Sequence, residues 1–483
     1  MELEEAVVQR ILREFEGVDL DDPRRSQRLL RLVAELAKHP DLSMPRALMN
    51  EASLEAAYRF LGNEAFDFDD VLQGHREQTI TRATQAGKVL VLHDTTTCHF
   101  EHADPREIGY LPTGKAGFFA QVSLVVDARR YRKPLGVLHV EPISRKKRSG
   151  RGSRKKHLSG KETSSWKNRE AERWLRGIET CQEQLSDCEV VHVTDREGDK
   201  YELLAHLVEH DEGFVIRSRH DRRLAPEYGE QSLRELAKQQ PVVLQRDVRL
   251  SRRVAPSAPR SRRLTPARQA RAATLSVTAT SVSLRRPNSL SKDFAATLAI
   301  NVVHVEELNP PAGQQPVVWT LLTNQPIDTI EQVAEIIDVY RYRWLIEELF
   351  KAFKSGCGYE QRQFETLHAL LTLMAVCLPI AVELLWIRSR VSEEPDAPAT
   401  EIVTEQQIEV LRAMGHRPVP PNPTAAQILL AIAGLGGHLK RNGSPGWHVL
   451  YRGYERLLDY EAGWAARGAA VARAKATTKR RNL

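Results

Sequence analysis

Cysteine is scarce in this sequence, which has five in a chain of 483 residues. Their number is odd and no CxxC pair occurs, so the sequence excludes the disulfide framework typical of small secreted proteins. Cys98, His99 and His102 offer zinc-ligand chemistry, but no fourth ligand follows at a recognisable spacing. The cysteines therefore predict reduced thiols and a cytoplasmic protein.

Long apolar runs are almost absent too. The N-terminus begins acidic and has no unbroken apolar run, so we do not expect it to be a secretory signal. One stretch, residues 369–387, is long enough to span a membrane, but it contains Pro379 and Glu383 and has no partner segment elsewhere. We predict a buried core helix there and no membrane association.

Basic charge is what the sequence has in excess. The formal net charge is +7 and the isoelectric point is near 9.1. The excess is concentrated in patches, which favours a polyanionic partner and above all nucleic acid. Two patches, 145–157 and 246–271, are either further phosphate-binding segments, for example for target DNA, or loops without that role.

The length predicts two to four domains, and the first carries helices rich in arginine. Residues 22–38 begin with Asp22 as the helix cap and Pro23 in the first turn. A second helix is predicted at 53–61, capped by Ser53 and closed by a glycine. These helices favour a DNA-binding module, although a solvated helical face is an open alternative.

The middle of the chain changes to strands. Three β-branched segments between residues 88 and 143 are followed by a helix with apolar residues at helical spacing and then by a fourth strand that ends in Asp195. A fifth strand is predicted at 213–220, and a run of short strands follows. This order predicts an α/β fold with a mixed sheet covered by helices, and an all-β insertion at about 221–316.

Two aspartates follow buried strands, Asp94 after KVLVLH and Asp195 after CEVVHVT. Carboxylates that converge at the ends of neighbouring strands repel each other unless a cation neutralises them, and their hard oxygens suit Mg²⁺ or Mn²⁺. Glu347 is the candidate third ligand. Two such ions per site would activate a water and stabilise a leaving oxygen in phosphodiester cleavage.

Glu347 lies in the segment YRYRWLIEELFKAFK, residues 340–354, which predicts one amphipathic helix. Its polar residues fall within an arc of roughly 80° on that helix: Tyr340, Arg343, Glu347, Lys351 and Lys354. A solvated ladder of ion pairs is the plain interpretation of this stripe. The alternative is a carboxylate that faces metal ions, with cations beside it that hold phosphates.

The sequence resembles the bacterial cut-and-paste insertion-sequence transposases, which have a ribonuclease-H-like DDE core and a Tyr-Arg-Glu-Lys signature. Every gap of that signature is matched by Tyr340, Arg343, Glu347 and Lys354. HDTTT and TDREGDKYELL resemble the two aspartate motifs, DPRRSQRLLRLVAELAK and EAAYRFLGN the end-recognition domain, and WHVLYRGYERLLDY the C-terminal helices. The likeness covers nearly the whole chain.

This resemblance implies that Asp94, Asp195 and Glu347 form the catalytic, metal-binding triad. The implied reaction nicks the transposon end, forms and resolves a hairpin, and joins the end to target DNA. It implies a flipped base that stacks on Trp319. Further DNA contacts follow from the same likeness or from the helices described above: Tyr340, Arg343, Lys351, Lys354, Arg217, Arg219, Arg24, Arg25, Tyr58 and Arg59.

We therefore predict three regions: an end-recognition domain at 1–72, a ribonuclease-H-like core at 73–365 and a helical dimerisation region at 366–483. The expected enzyme is a Mg²⁺-dependent transposase, with Mn²⁺ as a substitute and no nucleotide cofactor. Its expected partners are double-stranded DNA, as transposon ends and target, and a second copy of the chain in a synaptic complex. The alternatives are a metal-dependent DNA nuclease and a non-catalytic regulator that binds transposon ends.

Overall fold

The computed structural model describes most of the chain, namely residues 4–48, 50–129, 133–146, 160–250, 268–439, 445–446, 449–450, 452–461 and 463–467. Most of the two basic patches, at 147–157 and 251–267, lies outside the described residues, as do three positions of the C-terminal motif at 447–460.

The bounds of fourteen α-helices and nine strands follow, and residues 452–461 are helical as well. The helices are α1 (Glu4–Arg13), α2 (Pro23–Lys38), α3 (Met44–Leu48), α4 (Glu51–Leu61), α5 (Phe68–Ala86), α6 (Pro105–Ile108), α7 (Gly160–Gln184), α8 (Tyr201–Glu209), α9 (Leu233–Gln239), α10 (Ile330–Tyr342), α11 (Trp344–Lys351), α12 (Leu367–Glu393), α13 (Glu405–Met414) and α14 (Ala425–Leu435). The strands are β1 (Lys88–His99), β2 (Gly117–Asp127), β3 (Pro134–Ile143), β4 (Glu189–Thr194), β5 (Gly213–Arg217), β6 (Val242–Leu250), β7 (Arg271–Arg285), β8 (Thr297–Glu307) and β9 (Val318–Thr323).

The strands form a mixed sheet in the order β3-β2-β1-β4-β5-β9-β8-β7-β6. β1 pairs parallel with β4, and β4 pairs parallel with β5, whereas the strands from β5 through β9 to β6 pair antiparallel. The predicted mixed α/β sheet is confirmed. Parallel neighbours need a crossover connection, and α7 and α8 lie in the two connections that precede β4 and β5.

The chain divides into two compact units. The second unit comprises Gly87–Asp94 and Ser165–Trp344. Its apolar core joins α7, α8 and the sheet, and includes the fully buried side chains of Trp174, Tyr201 and Phe214. The helical spacing predicted for α7 is confirmed, because Trp174, Ile178, Cys181 and Leu185 are all buried.

The first unit comprises Met1–Ala86, Thr95–Ser164 and Leu345–Leu483. Helix α2 begins as predicted, with the Asp22 side chain accepting a hydrogen bond from Arg24 N. Helix α4 begins earlier than predicted, because Asn50 and not Ser53 is its cap and accepts from the Ser53 N–H. A carboxamide oxygen caps a helix as well as a hydroxyl does.

Helix α12 is the predicted core helix. It alone among the described helices is long and apolar enough to cross a membrane, and 72% of its apolar window is buried in the fold. Its interior proline, Pro379, does not end the helix. Burial among other helices of the first unit accounts for its composition.

Three further local predictions were wrong. The insertion predicted as all-β also contains α9, which a capping box of Ser232 and Glu235 begins. β1 does not end at Asp94 but continues to His99 through β-branched threonines. The helix predicted at 340–354 is interrupted at Arg343 and ends in a π-helical turn, Ala352–Gly356, in which Cys357 N donates to Ala352 O.

Candidate active site

Asp94 and Asp195 occupy matching positions on neighbouring parallel strands. The paired register of β1 and β4 ends at His93 opposite Thr194, and each aspartate is the next residue of its chain. Adjacent strands lie about 4.8 Å apart, so the two aspartates follow neighbouring backbone positions at this edge of the pairing. Asp94 lies within β1, and only the pairing of β1 with β4 ends there, so the convergence of the two carboxylates stays a prediction.

The turn after β4 fixes Asp195. Its Oδ1 accepts a hydrogen bond from Glu197 N at 2.7 Å, and its carbonyl oxygen accepts one from Gly198 N at 3.2 Å. A Cβ at position 198 would lie 2.3 Å from Thr194 Oγ1, so only glycine fits this turn. The motif TDREG therefore places one carboxylate at a rigid corner.

Arg343 provides the counter-charge for Asp94. Its Nη1 lies 3.2 Å from Asp94 Oδ2, and both side chains are largely buried, with 11% and 18% exposed. The resemblance implies a phosphate clamp for Arg343. The structure instead shows it bound to a carboxylate, at the residue that separates α10 from α11.

Tyr340 and Trp319 pack against each other. Their rings meet edge to face with centroids 5.5 Å apart, and Tyr340 is only 5% exposed. Trp319 lies on β9, is half-buried and lines a cavity of about 40 Å³ together with Val305 and Ile337. Arg246 and Arg341 line the same cavity. The tryptophan therefore has an apolar environment with cations beside it.

The remaining residues of the predicted stripe lie in the first unit. Glu347 is half-buried on α11, and Lys351 is exposed at its end. Lys354, in the π-helical turn, donates to the Thr97 carbonyl oxygen and lies 3.5 Å from Glu360. Because the helix is interrupted, the single straight stripe predicted from residues 340–354 does not form.

Two arginines that the sequence patterns did not single out, Arg196 and Arg234, interact with each other beyond the ends of β4 and β5. Arg196 follows Asp195 directly, and its guanidinium interacts electrostatically with Arg217, Tyr340, Arg234 and Asp195. Desolvation and the charges of Arg217 and Arg234 lower the pKa of Arg196. The position of Arg196 within TDREG was the signal that could have found it. For Arg234 the sequence offers no comparable signal.

Arg217 and Arg219 stand at the end of β5. Arg217 is half-buried and donates from Nη2 to Val318 O at 3.0 Å, whereas Arg219 is exposed. Of the predicted DNA contacts in the N-terminal helices, Arg24 is exposed, and Arg25 donates to Leu20 O at 2.9 Å. Tyr58 and Arg59 are exposed on α4.

The side chains of Asp94 and Asp195 suit a divalent cation, because carboxylates supply hard oxygen ligands. A third ligand is not in place: among the described residues, no group of three or more His, Cys, Asp or Glu side chains could hold a metal ion. The same finding applies to the zinc-ligand candidates Cys98, His99 and His102, which form no such group; Cys98 is fully buried, and desolvation raises the pKa of its thiol to about 12.

Comparison with known proteins gives two family matches. Residues 10–66 match the family "Transposase DNA-binding", and residues 147–379 match the family "Transposase DDE domain". The second range includes Asp195, Trp319 and the whole Tyr-Arg-Glu-Lys signature.

A solved structure, the piggyBac transposase synaptic complex with hairpin DNA, is 13% identical, with a TM-score of 0.28. The match covers 81% of this chain and 66% of that chain. A likeness at this level supports no conclusion about this chain. The two family matches, which lie on the helices of the N-terminus and on the sheet that carries Asp195, support a DDE transposase.

Proposed function

We propose that this chain is a DNA transposase that excises and integrates a mobile element by metal-dependent phosphoryl transfer at Asp94, Asp195 and Glu347. One observation carries the proposal: Asp94 and Asp195 directly follow the last paired residues of β1 and β4, with Arg343 bound to one and Arg196 next to the other. Such a surface combines ligands for hard cations with groups that bind phosphates.

Mg²⁺, or Mn²⁺ in its place, would be held by Asp94 and Asp195 with Glu347 as the third ligand, two ions to a site. Bound divalent ions activate a nucleophilic oxygen and stabilise the leaving oxygen of a phosphodiester. The chain's own residues then have three tasks. Arg196, Arg217 and Lys354 bind phosphates, Trp319 receives an unstacked base, and Arg343 moves from Asp94 to a phosphate when DNA enters.

The finer features of the proposal follow the family resemblance. The sheet would be a ribonuclease-H-like core, and the regions 1–72, 73–365 and 366–483 would serve end recognition, catalysis and dimerisation. Arg24, Arg25, Tyr58 and Arg59 would contact the transposon end, and two copies of the chain would form the synaptic complex. The element would be a bacterial insertion sequence, with the protein in the cytoplasm.

The decisive experiment combines purified protein, a circular plasmid and a linear DNA. The linear DNA carries the sequence that directly flanks the reading frame encoding this chain. With Mg²⁺ or Mn²⁺ we expect nicked ends, hairpins and end-to-plasmid joints, and with EDTA none of them. Cleavage without joints would show a nuclease instead. Binding without cleavage in either metal would show an end-binding regulator.

Trp319→Ala is expected to slow hairpin formation, because stacking contributes about 1–3 kcal/mol per base. Trp319→Phe should retain much of the rate. Hairpin rates on a fully paired end and on an end with mismatched terminal bases distinguish this role from a packing role. Mismatched bases are already unstacked, so they should restore part of the Trp319→Ala rate. An equal loss on both ends would make Trp319 a structural residue only.

A further inference from the structure

Asp199 is a buried carboxylate that holds the loop after β5. It is 1% exposed. Its Oδ2 accepts hydrogen bonds from the N–H groups of Arg219, at 2.7 Å, and His220, at 3.0 Å. Its Oδ1 accepts from Arg222 Nε at 3.1 Å and also contacts Nη2 of the same guanidinium. Because two successive N–H groups converge on one oxygen, this carboxylate sets the path of the backbone.

Arg234 depends on the same loop for its position. It lies in the first turn of α9, and its backbone N–H donates to Asp221 Oδ1 at 3.0 Å. Its guanidinium Nη2 donates to the Arg219 carbonyl oxygen at 3.0 Å. The loop therefore joins β5 to α9 and brings the side chain of Arg234 to the place where Arg217 and Arg219 leave the sheet. These three residues are called the loop arginines below.

The loop arginines differ in their pairing from other arginines of the second unit. Seven of those others form ion pairs with carboxylates: Arg173, Arg176, Arg222, Arg246, Arg271, Arg341 and Arg343. Within the described part of the chain, no acidic side chain lies within ion-pair distance of a loop arginine. Arg196 adds a fourth guanidinium that interacts with Arg217 and Arg234. Like charges held together in this way are relieved by a polyanion.

We propose that Arg234 binds a backbone phosphate of the DNA substrate together with Arg217 and Arg219, and that Asp199 is the positioning residue that holds the three in place. This inference rests on the proposed function, because it requires a DNA substrate. It adds two residues, Arg234 as a phosphate-binding group and Asp199 as its buried support.

The first test measures binding of the DNA-end fragment over a series of salt concentrations. Each phosphate contact contributes about 0.9 to the slope of log K against log salt. Arg234→Gln should lower that slope by about 0.9, whereas Arg234→Lys, which keeps the charge, should keep it. The matched control is Arg285→Gln, an exposed arginine at the end of β7. A slope for Arg234→Gln equal to wild type or to the control overturns the phosphate contact.

The second test concerns Asp199. Asp199→Ala/Arg222→Met removes both members of the buried pair, so no uncompensated charge is left in the fold. The slope of log K against log salt should fall by more in this double variant than in Arg234→Gln, because both Arg219 and Arg234 lose their support. A residue with a purely structural role would change thermal stability and leave the slope of the folded protein untouched. A wild-type slope in this double variant therefore removes Asp199 from the DNA site.

These outcomes are separable from the proposed function. If wild-type protein joins ends to a plasmid but Arg234→Gln keeps the full slope, the inference fails alone. If wild-type protein binds the fragment and joins nothing, the transposase proposal fails, and the slopes still decide whether Arg234 contacts DNA. A wild-type protein that binds no DNA overturns both.

Discussion

Asp94→Asn and Asp195→Asn should each strongly reduce cleavage of the DNA end. The loss should be far larger than the roughly 10–100-fold expected when a residue that only hydrogen-bonds to a metal ligand is changed. Asparagine keeps the size of the side chain and one acceptor oxygen, so Arg343 retains a partner at position 94. It lacks the negative charge that a hard divalent cation needs. The measurement is the rate of nicking at saturating DNA, with Mg²⁺ and with Mn²⁺.

End binding should stay at the wild-type level or become slightly tighter, since each change removes a negative charge from a surface that binds phosphates. The matched control is Asp127→Asn, which changes a buried aspartate at the end of β2. Nicking by the control should remain near wild type. Nicking by Asp94→Asn or Asp195→Asn at the control's rate would exclude that aspartate from catalysis.

Glu347→Gln tests the third member of the triad in the same nicking assay. Its result can differ from the results of the two aspartate variants. Glu347 lies on α11 in the first unit, whereas both aspartates lie in the second. The expected loss is as large as for the aspartates, because the same charge is removed from the same ions. A variant that still nicks would restrict the metal site to Asp94 and Asp195.

Much of the fold could be predicted because strands and helices carry local signals. The β-branched runs marked nearly all the strands, and the apolar spacing of Trp174, Ile178, Cys181 and Leu185 marked α7 correctly. The two aspartates were found because each follows an apolar run in one short motif. Such signals depend on neighbours in the sequence, so they can be detected without knowledge of the tertiary structure.

What the sequence could not predict depends on contacts between distant residues. The break at Arg343 separates two helices that have the same apolar periodicity, and its ion pair with Asp94 joins residues far apart in the chain. Asp199 looks like an ordinary turn residue until the loop at 218–222 folds over it. Ion pairs and buried hydrogen bonds have no period, so no pattern along the chain predicts them.

The largest effect on stability is expected in the first unit, at Glu14. This carboxylate accepts hydrogen bonds from Arg82 Nη1 at 2.7 Å and Nη2 at 3.0 Å, and lies 2.5 Å from His75 Nδ1. Val137 N donates to His75 Nε2, so the ring proton faces Glu14. Burial alone would raise the pKa of Glu14, but interactions with His75 and Arg82 lower it from 4.5 to about 2. The network joins the residues matched to the DNA-binding family to α5 and β3.

Glu14→Gln should therefore destabilise the first unit by about 3 kcal/mol at pH 7, since each pKa unit corresponds to about 1.4 kcal/mol. The folded-state pKa lies below the unfolded value, so this stabilisation is complete above pH 4.5 and is lost as the pH falls towards 2. Amide hydrogen exchange of α5 in the two proteins measures the free energy of opening. The difference between wild type and Glu14→Gln should shrink steadily below pH 4.5.

Glu383→Gln is the matched control, because Glu383 also forms a buried pair with an arginine, Arg10, whose Nη2 lies 2.6 Å away. Burial raises the pKa of Glu383 despite Arg10. A raised folded-state pKa means that the charged form costs stability once the pH exceeds the unfolded value, so Glu383→Gln should destabilise the first unit less than Glu14→Gln at pH 7. Equal losses for the two variants, independent of pH, would show that Glu14 contributes packing and not charge.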